Sequence, residues 1–145
     1  MTIQIAFMPG TEMAARFYRD AYEFNCDLFE RIRYLHSGEM RQEDHFVAFA
    51  ENKRVVGDLA LQQSPYDSQI LWLKHVSVDE EYRNQGIAGR LLRRCMDHLE
   101  QTGKKMKLSS FSDDGERYLR HVLQRLETAH PDVGIIWPRE SNPVP

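Results

Sequence analysis

The sequence has no long hydrophobic run, only two cysteines and no excess of positive charge. No apolar stretch approaches the roughly 20 residues of a membrane span, and the amino terminus lacks the apolar segment of a signal peptide, so we expect no membrane partner. Cys26 and Cys95 form no Cys-x-x-Cys pair, which predicts reduced core thiols in a cytoplasmic protein. The net charge of −3 gives no basic surface and disfavours nucleic acid as a partner.

The composition that remains is that of one globular domain. Apolar residues make up 41% of the 145 residues and charged residues 28%, which is ordinary for a folded chain that buries a core. No repeat, low-complexity segment or linker divides the sequence. We therefore expect a single domain over residues 1–138, followed by a loose tail over residues 139–145.

The most informative stretch of the chain is residues 71–100. Its first part, residues 71–78, is apolar and β-branched, which is typical of a buried strand. A charged turn follows, and from Gly86 to Gly103 apolar residues recur at the spacing of an amphipathic helix. Small residues at positions 86, 88 and 89 would let a pyrophosphate approach the first N–H groups of this helix. The alternative is a tight turn that needs glycine for packing alone. Neither Gly-Lys-Ser/Thr nor G-x-G-x-x-G is present.

The turn within this stretch carries a recognisable motif, Val78-Asp79-Glu80-Glu81-Tyr82-Arg83-Asn84-Gln85-Gly86-Ile87-Ala88. It resembles the signature of the GNAT (Gcn5-related) N-acetyltransferase family, R/Q-x-x-G-x-G/A after a strand that ends in V-D-x-x-Y/H. The resemblance implies an acyltransferase that moves the acetyl group of acetyl-CoA to a primary amine by direct attack in a ternary complex, with no metal. It also implies that the pantetheine arm pairs with the backbone of the strand and that the pyrophosphate lies on the loop. The expected cofactor contacts are Val76, Ser77, Val78, Arg83, Asn84, Gln85, Gly86, Ile87, Ala88, Gly89 and Arg90.

The rest of the chain predicts an α/β fold. Strand patterns over residues 2–7, 45–50 and 54–62, and from Ile70, follow one another and should pair antiparallel. A helical run separates the first two, from Ala14 to Leu35. A strand over residues 105–111, a helix after Asp113 and a last strand over residues 133–137 should follow the central helix. We expect a GNAT-like, mixed but mostly antiparallel sheet with splayed central strands and flanking helices.

Acetyl transfer to an amine needs a base, a donor to the developing oxyanion and an acid for the leaving thiolate. In the family, the fourth and fifth strands splay at a bulge, and by position the N–H of Val76 is the expected donor. Many relatives carry a carboxylate on the fourth strand, but residues 70–76 contain none. His75 is the candidate base, because an imidazole ordinarily has a pKa of about 6.5. The alternative is that His75 simply lies on the open sheet face or is satisfied by a neighbour. Asp58 and Glu81 are weaker candidates.

The family usually places the acid, a tyrosine, in an N-x-x-A-x-x-x-Y-x-x-x-G-F segment. This sequence departs from that pattern, and the candidate acid is Tyr118. His121 is the alternative proton donor, and the non-catalytic interpretation is that Tyr118 packs at the edge of the helix. Only one clear strand follows this helix, where the family usually has two.

Two further expectations concern partners. The aromatic and acidic residues of the run from Ala14 to Leu35, such as Tyr22 and Asp27, predict a rim for a cationic amine. The acceptor is a small molecule or a protein amine, and a second copy of the chain is a further candidate partner. The alternative function is a CoA-binding module that senses or scaffolds without turnover. The missing carboxylate and the altered tyrosine segment favour that alternative.

Overall fold

The computed structural model describes residues 2–19, 43–108 and 113–138 of the chain. A short 3-10 turn, Glu80–Tyr82, precedes the central helix. Within these ranges no helix is both long and apolar enough to cross a membrane. The described part contains six strands and three helices, in this order: β1 Gln4–Met8, α1 Gly10–Arg19, β2 Glu43–Phe49, β3 Val55–Gln63, β4 Ile70–Val78, α2 Ile87–Thr102, β5 Lys105–Leu108, α3 Asp113–Ala129 and β6 Ile135–Ile136.

The six strands form one sheet in the order β1-β2-β3-β4-β5-β6. Strands β1 to β4 pair antiparallel with their neighbours, and β5 and β6 add in parallel. The predicted mixed sheet, antiparallel at its start, is therefore confirmed. Most strand ends differ from the sequence prediction by one or two residues; for example, β1 begins at Gln4 and β6 is limited to Ile135–Ile136. The predicted helical run beyond Arg19, and Cys26 within it, lie outside the described residues.

Helix α2 covers one face of the sheet with the apolar stripe that the sequence predicts. Its buried residues are Ile87, Leu91, Leu92, Cys95, Met96 and Leu99. Gly57 of β3 lies directly beneath, and a Cβ there would meet side-chain atoms of Ile87 and Leu91 at 3.2 and 3.3 Å. Glycine at this position therefore lets the helix pack closely on the strand, because an added Cβ would be in tight contact with both side chains. Burial also raises the pKa of the Cys95 thiol to about 12, as befits a core thiol.

Helices α2 and α3 share that face, whereas α1 lies on the other. Met106 and Leu108 of β5 are buried with both helices, and the intervening Lys107 is exposed. On the opposite face, the Arg16 guanidinium of α1 lies 5.8 Å from the ring centroid of Phe49 in β2. Successive side chains of a strand point to opposite faces, so each face of the sheet can be assigned from this alternation.

His130, just beyond α3, joins that helix to α2. Its Nδ1 donates to the carbonyl of Leu126 at 3.1 Å, and its Nε2 lies 2.9 Å from Asp97 and 3.8 Å from Glu100. The hydrogen bond to Asp97 raises the pKa of His130 more than burial lowers it. These three side chains place their ligand atoms within 4.8 Å of one another. The protonated imidazole of His130 pairs with both carboxylates, so we interpret the three side chains as an ion-pair group that joins the helices.

This ion pair predicts a pH-dependent contribution to stability. An imidazole whose pKa is raised on folding adds to the free energy of unfolding. This contribution is fully present below about pH 6.5, the pKa in the unfolded chain, and is lost as the pH rises through the raised pKa of the folded state. We expect the melting temperature of His130→Gln to fall below wild type by on the order of 2 °C at pH 6, since the carboxylates are partly exposed and screened. The difference in melting temperature between wild type and variant should disappear by about pH 9. Melting curves that stay parallel across this range would contradict the assignment.

Candidate functional site

The second half of β4 has one neighbouring strand among the described residues. Among the described residues, β5 pairs with β4 only from Ile70 to Leu73, and the remainder of β4 pairs with β3 alone. The β3–β4 register slips where Ala60 pairs with His75 and Leu61 with Leu73, which leaves Lys74 as an extra residue. The predicted bulge in β4 is therefore confirmed. The predicted splay of the fourth and fifth strands stays a prediction, because residues 109–112, which follow β5, lie outside the described residues.

The backbone of β4 beyond the bulge points alternately to β3 and away from it. The N–H of Asp79 donates to the carbonyl of Val56 at 2.8 Å, so Ser77 also faces β3 by alternation. Val76 and Val78 then face away from β3. Arg83 confirms this direction for Val78, because its Nε donates to the Val78 carbonyl from outside the β3–β4 pair at 3.2 Å. Both residues thus present backbone groups on the side away from β3.

The loop that follows β4 leaves the start of α2 uncapped. Asn84 and Gly86 have φ values of 64° and 77°, and no side chain caps the helix at Gly86. The N–H of Arg90 is bonded to the Gly86 carbonyl at 3.1 Å, so the N–H groups of residues 87–89 precede the first helical bond and point outward. A Cβ at Gly86 would meet no atom within 4 Å. An anion can therefore approach this helix end without a steric obstacle.

A buried group of four titratable residues lies beside the bulge. Asp58 of β3 is fully buried, and both of its oxygens lie near His45 of β2, 2.9 and 3.1 Å from Nδ1. His75 of β4, whose side chain is 8% exposed, places Nε2 at 2.5 Å from the same carboxylate. On the far side, Nε2 of His45 is 3.8 Å from Glu43, which is 2% exposed. Three neighbouring strands thus bring two imidazoles to one carboxylate.

The charge of Asp58 determines which nitrogens of the two imidazoles carry protons. Burial alone would raise the pKa of its carboxyl, but attraction to His45 and hydrogen bonds from both imidazoles outweigh burial and hold the pKa well below its ordinary value. An ionised Asp58 can only accept, so His45 carries a proton on Nδ1 and His75 on Nε2. Nδ1 is the nitrogen of His75 that does not face Asp58.

The structure brings together some of the predicted site residues and separates others. The Arg90 guanidinium reaches away from the loop and donates to the carbonyl of Ile3 at 2.9 Å. Glu81 is exposed on the 3-10 turn, and His121 is exposed on α3. Tyr118 lies in the first half of α3, but its side chain is not among those described. The predicted acceptor rim falls on residues 20–42, which lie outside the described residues.

His45 and Glu43 were not identified from the sequence, and Asp58 entered only as a weak base candidate. Asp58 itself could have revealed them, because it is the lone charged residue of β3 and interrupts the apolar run over residues 55–61. A buried carboxylate needs partners, and the hairpin register places Asp58 opposite Val47, diagonal to His45.

Comparison with known proteins identifies the family. The model of the Acetyltransferase (GNAT) family matches residues 11–127, and this chain therefore belongs to that family. Members transfer acetyl groups with acetyl-CoA as co-substrate, so the chain is an acetyltransferase. No curated protein matches its sequence.

Solved structures share its fold at low sequence identity. An aminoglycoside acetyltransferase from an uncultured soil metagenomic sample is 15% identical with a TM-score of 0.59, over 99% of this chain and 93% of that one. A ribosomal-protein-alanine N-acetyltransferase from Brucella melitensis is 16% identical with a TM-score of 0.58, over 99% of both chains. An IAA acetyltransferase from Bacillus cereus is 13% identical with a TM-score of 0.61, over 86% of this chain and 75% of that one. At these identities the likeness shows the fold alone.

Proposed function

We propose that this chain transfers the acetyl group of acetyl-CoA to a primary amine by direct attack in a ternary complex, with His75 as the general base. The observation that carries the proposal is the hydrogen bond from His75 to a buried, ionised Asp58, one residue beyond the bulge in β4. A base of this kind replaces the carboxylate that β4 lacks. Asp58 acts as a positioning residue, since it fixes the ring and the tautomer.

The outward backbone groups of β4 and the uncapped helix fit acetyl-CoA. Val76 and Val78 offer backbone groups on the side away from β3, and the N–H groups of residues 87–89 suit a pyrophosphate. Bound there, acetyl-CoA supplies an activated acyl carbon on a thiol leaving group. The turn residues Arg83, Asn84 and Gln85 complete the proposed contacts. Arg90 would contribute through its backbone, whereas the backbone of Ser77 in β4 faces β3.

In this proposal each step of the reaction is assigned to a residue of the chain. An acceptor ammonium has a pKa of about 10.4 in water, so a proton must leave before its nitrogen can attack. In the proposed reaction His75 takes that proton through one water. As the nitrogen–carbon bond forms and the carbon–sulfur bond breaks, the N–H of Val76 stabilises the oxyanion. Tyr118 is the proposed donor of the proton that the departing thiolate takes up.

Turnover with a panel of amines tests the proposal. The panel should include small primary amines, a peptide with a free amino-terminal alanine and an aminoglycoside, because relatives of similar fold are named for such acceptors. We expect one free CoA thiol for each acetylated amine, with no acetyl group left on the protein. CoA binding without transfer to any amine would favour the binding-module alternative.

A further inference from the structure

Two histidines on either side of β3 lean together over a small residue. His45 of β2 and His75 of β4 are both in register with Ala60, which is fully buried. Neighbouring strands lie about 4.8 Å apart, so residues separated by one strand stand about 10 Å apart at the backbone. The centroids of the two rings are nevertheless 6.4 Å apart. The rings can approach this closely because the side chain between them is a single methyl group.

Both rings converge on Asp58. This residue precedes Ala60 by two positions and therefore lies on the same face of β3. Nδ1 of His45 lies 2.9 Å from Oδ1 and 3.1 Å from Oδ2 of Asp58, whereas Nε2 of His75 contacts Oδ2 at 2.5 Å. A donor that contacts both oxygens restricts the rotation of the carboxylate. His45 therefore fixes the direction in which Oδ2 meets His75.

His45 also helps to keep Asp58 ionised. Burial raises the pKa of this carboxyl, but the two imidazoles outweigh burial and lower the pKa. Attraction to His45 and its hydrogen bond are the larger of these lowering effects, ahead of those of His75. Glu43 stands on the far side of the His45 ring, 3.8 Å from Nε2, where an ionised carboxylate favours the protonated imidazole. Of the two imidazoles, His45 is thus the stronger partner of the charge on Asp58.

The ionisation of Asp58 decides the tautomer of His75. A carboxylate can only accept, so the neutral ring of His75 carries its proton on Nε2 and its lone pair on Nδ1. A neutral carboxyl would donate its own proton to Nε2, and the ring proton would then lie on Nδ1. Such a ring has no lone pair left for the proton of an amine.

We propose that His45 is a positioning residue of the acetyl transfer, which acts through Asp58 to hold His75 in the tautomer of a base. The inference rests on the proposed role of His75 in the reaction. His45 itself is 1% exposed and hydrogen-bonded to Asp58, so it acts on the reaction only through its neighbour.

Two amide variants of His45 distinguish its two nitrogens. The amide nitrogen of asparagine takes the place of Nδ1 and can still donate to Asp58, whereas that of glutamine takes the place of Nε2. Both variants lose the charge of the ring, and only His45→Asn keeps the hydrogen bond. We expect kcat for the best acceptor of the amine panel to be at least about tenfold lower in His45→Gln than in His45→Asn. Equal values of kcat, or a lower value in His45→Asn, would overturn the proposal.

A double variant separates positioning from a merely structural role. His75→Gln removes the group on which His45 is proposed to act, so the further change His45→Gln should alter kcat by about twofold or less. A structural fault would instead lower kcat by the same factor with and without His75, and this result would overturn the proposal. A wild-type kcat in His75→Gln alone would refute the proposed base, and the role of His45 with it.

The tautomer of His75 can be observed without turnover. Long-range proton–nitrogen NMR correlations in isotope-labelled protein show which ring nitrogen carries the proton. We expect the Nε2–H tautomer of His75 in the wild type and in His45→Asn, and the Nδ1–H tautomer in His45→Gln. This pattern without acetylation of any amine would sustain the coupling and refute the proposed function alone. One tautomer in all three proteins would overturn the inference even if acetyl transfer occurs. If a variant does not fold, the wild type still decides, because a His45 ring without a proton on Nδ1 could not donate to Asp58.

Discussion

Gly86→Val is expected to abolish binding of CoA, with the dissociation constant raised at least about 100-fold. Gly86 stands at the uncapped start of α2, and a side chain there would project into the space beside the outward N–H groups that no protein atom fills. An anion could then no longer approach those groups closely. Isothermal titration calorimetry with CoA measures the effect directly.

The chain supplies a matched control at the other end of the same helix. Gly103 caps α2 with φ of 71°, close to the 77° of Gly86, and a Cβ there also meets no atom within 4 Å. Gly103→Val therefore imposes a similar backbone strain, about 1–2 kcal/mol, far from the proposed site. We expect it to lose stability but keep its affinity for CoA. Equal loss of affinity in both variants would show that strain, and not the anion site, is responsible.

The second large effect is expected at the base. His75→Gln should lower kcat by about a hundredfold to ten-thousandfold, the range of general base catalysis, and leave the dissociation constant of CoA unchanged. Asp58→Asn should lower kcat by at least about tenfold, because an amide no longer holds His75 in one tautomer. Steady-state rates at pH 7, with calorimetry for CoA, separate the two quantities.

His98→Gln serves as the histidine control. This residue stacks on Phe7 at 5.2 Å on the α2 side of the sheet, away from His75. Its loss should leave kcat near the wild-type value. If His75→Gln also turns over at the wild-type rate, His75 is only a partner that satisfies Asp58, and the base lies elsewhere.

The strand, turn and helix of residues 71–100 could be predicted from sequence because the signals are local. The two-residue alternation of the strand and the four-residue spacing of the helix can be recognised from a few consecutive residues. The same is true of the glycines that bound the helix, Gly86 and Gly103. The close contact at Gly57 also follows from residue type. Strand ends such as Gln4 were less well predicted, because pairing with the neighbouring strand sets them.

The Asp58 group could be predicted only in part. The tight β2–β3 hairpin fixes Asp58 diagonal to His45, so that pair was within reach of sequence reasoning. The link to His75 was not, because the extra residue Lys74 shifts the β3–β4 register by one and changes the face on which His75 lies.

The pH dependence of kcat/KM for an amine acceptor tests the role of His75 most directly. If His75 removes the proton of an ammonium substrate, the wild-type kcat/KM levels off at a pH well below the titration of the amine. In His75→Gln only the small neutral fraction of the amine reacts, so the value should climb steadily toward the titration of the amine near about pH 10. A wild-type profile that climbs in the same way as that of the variant would contradict the account.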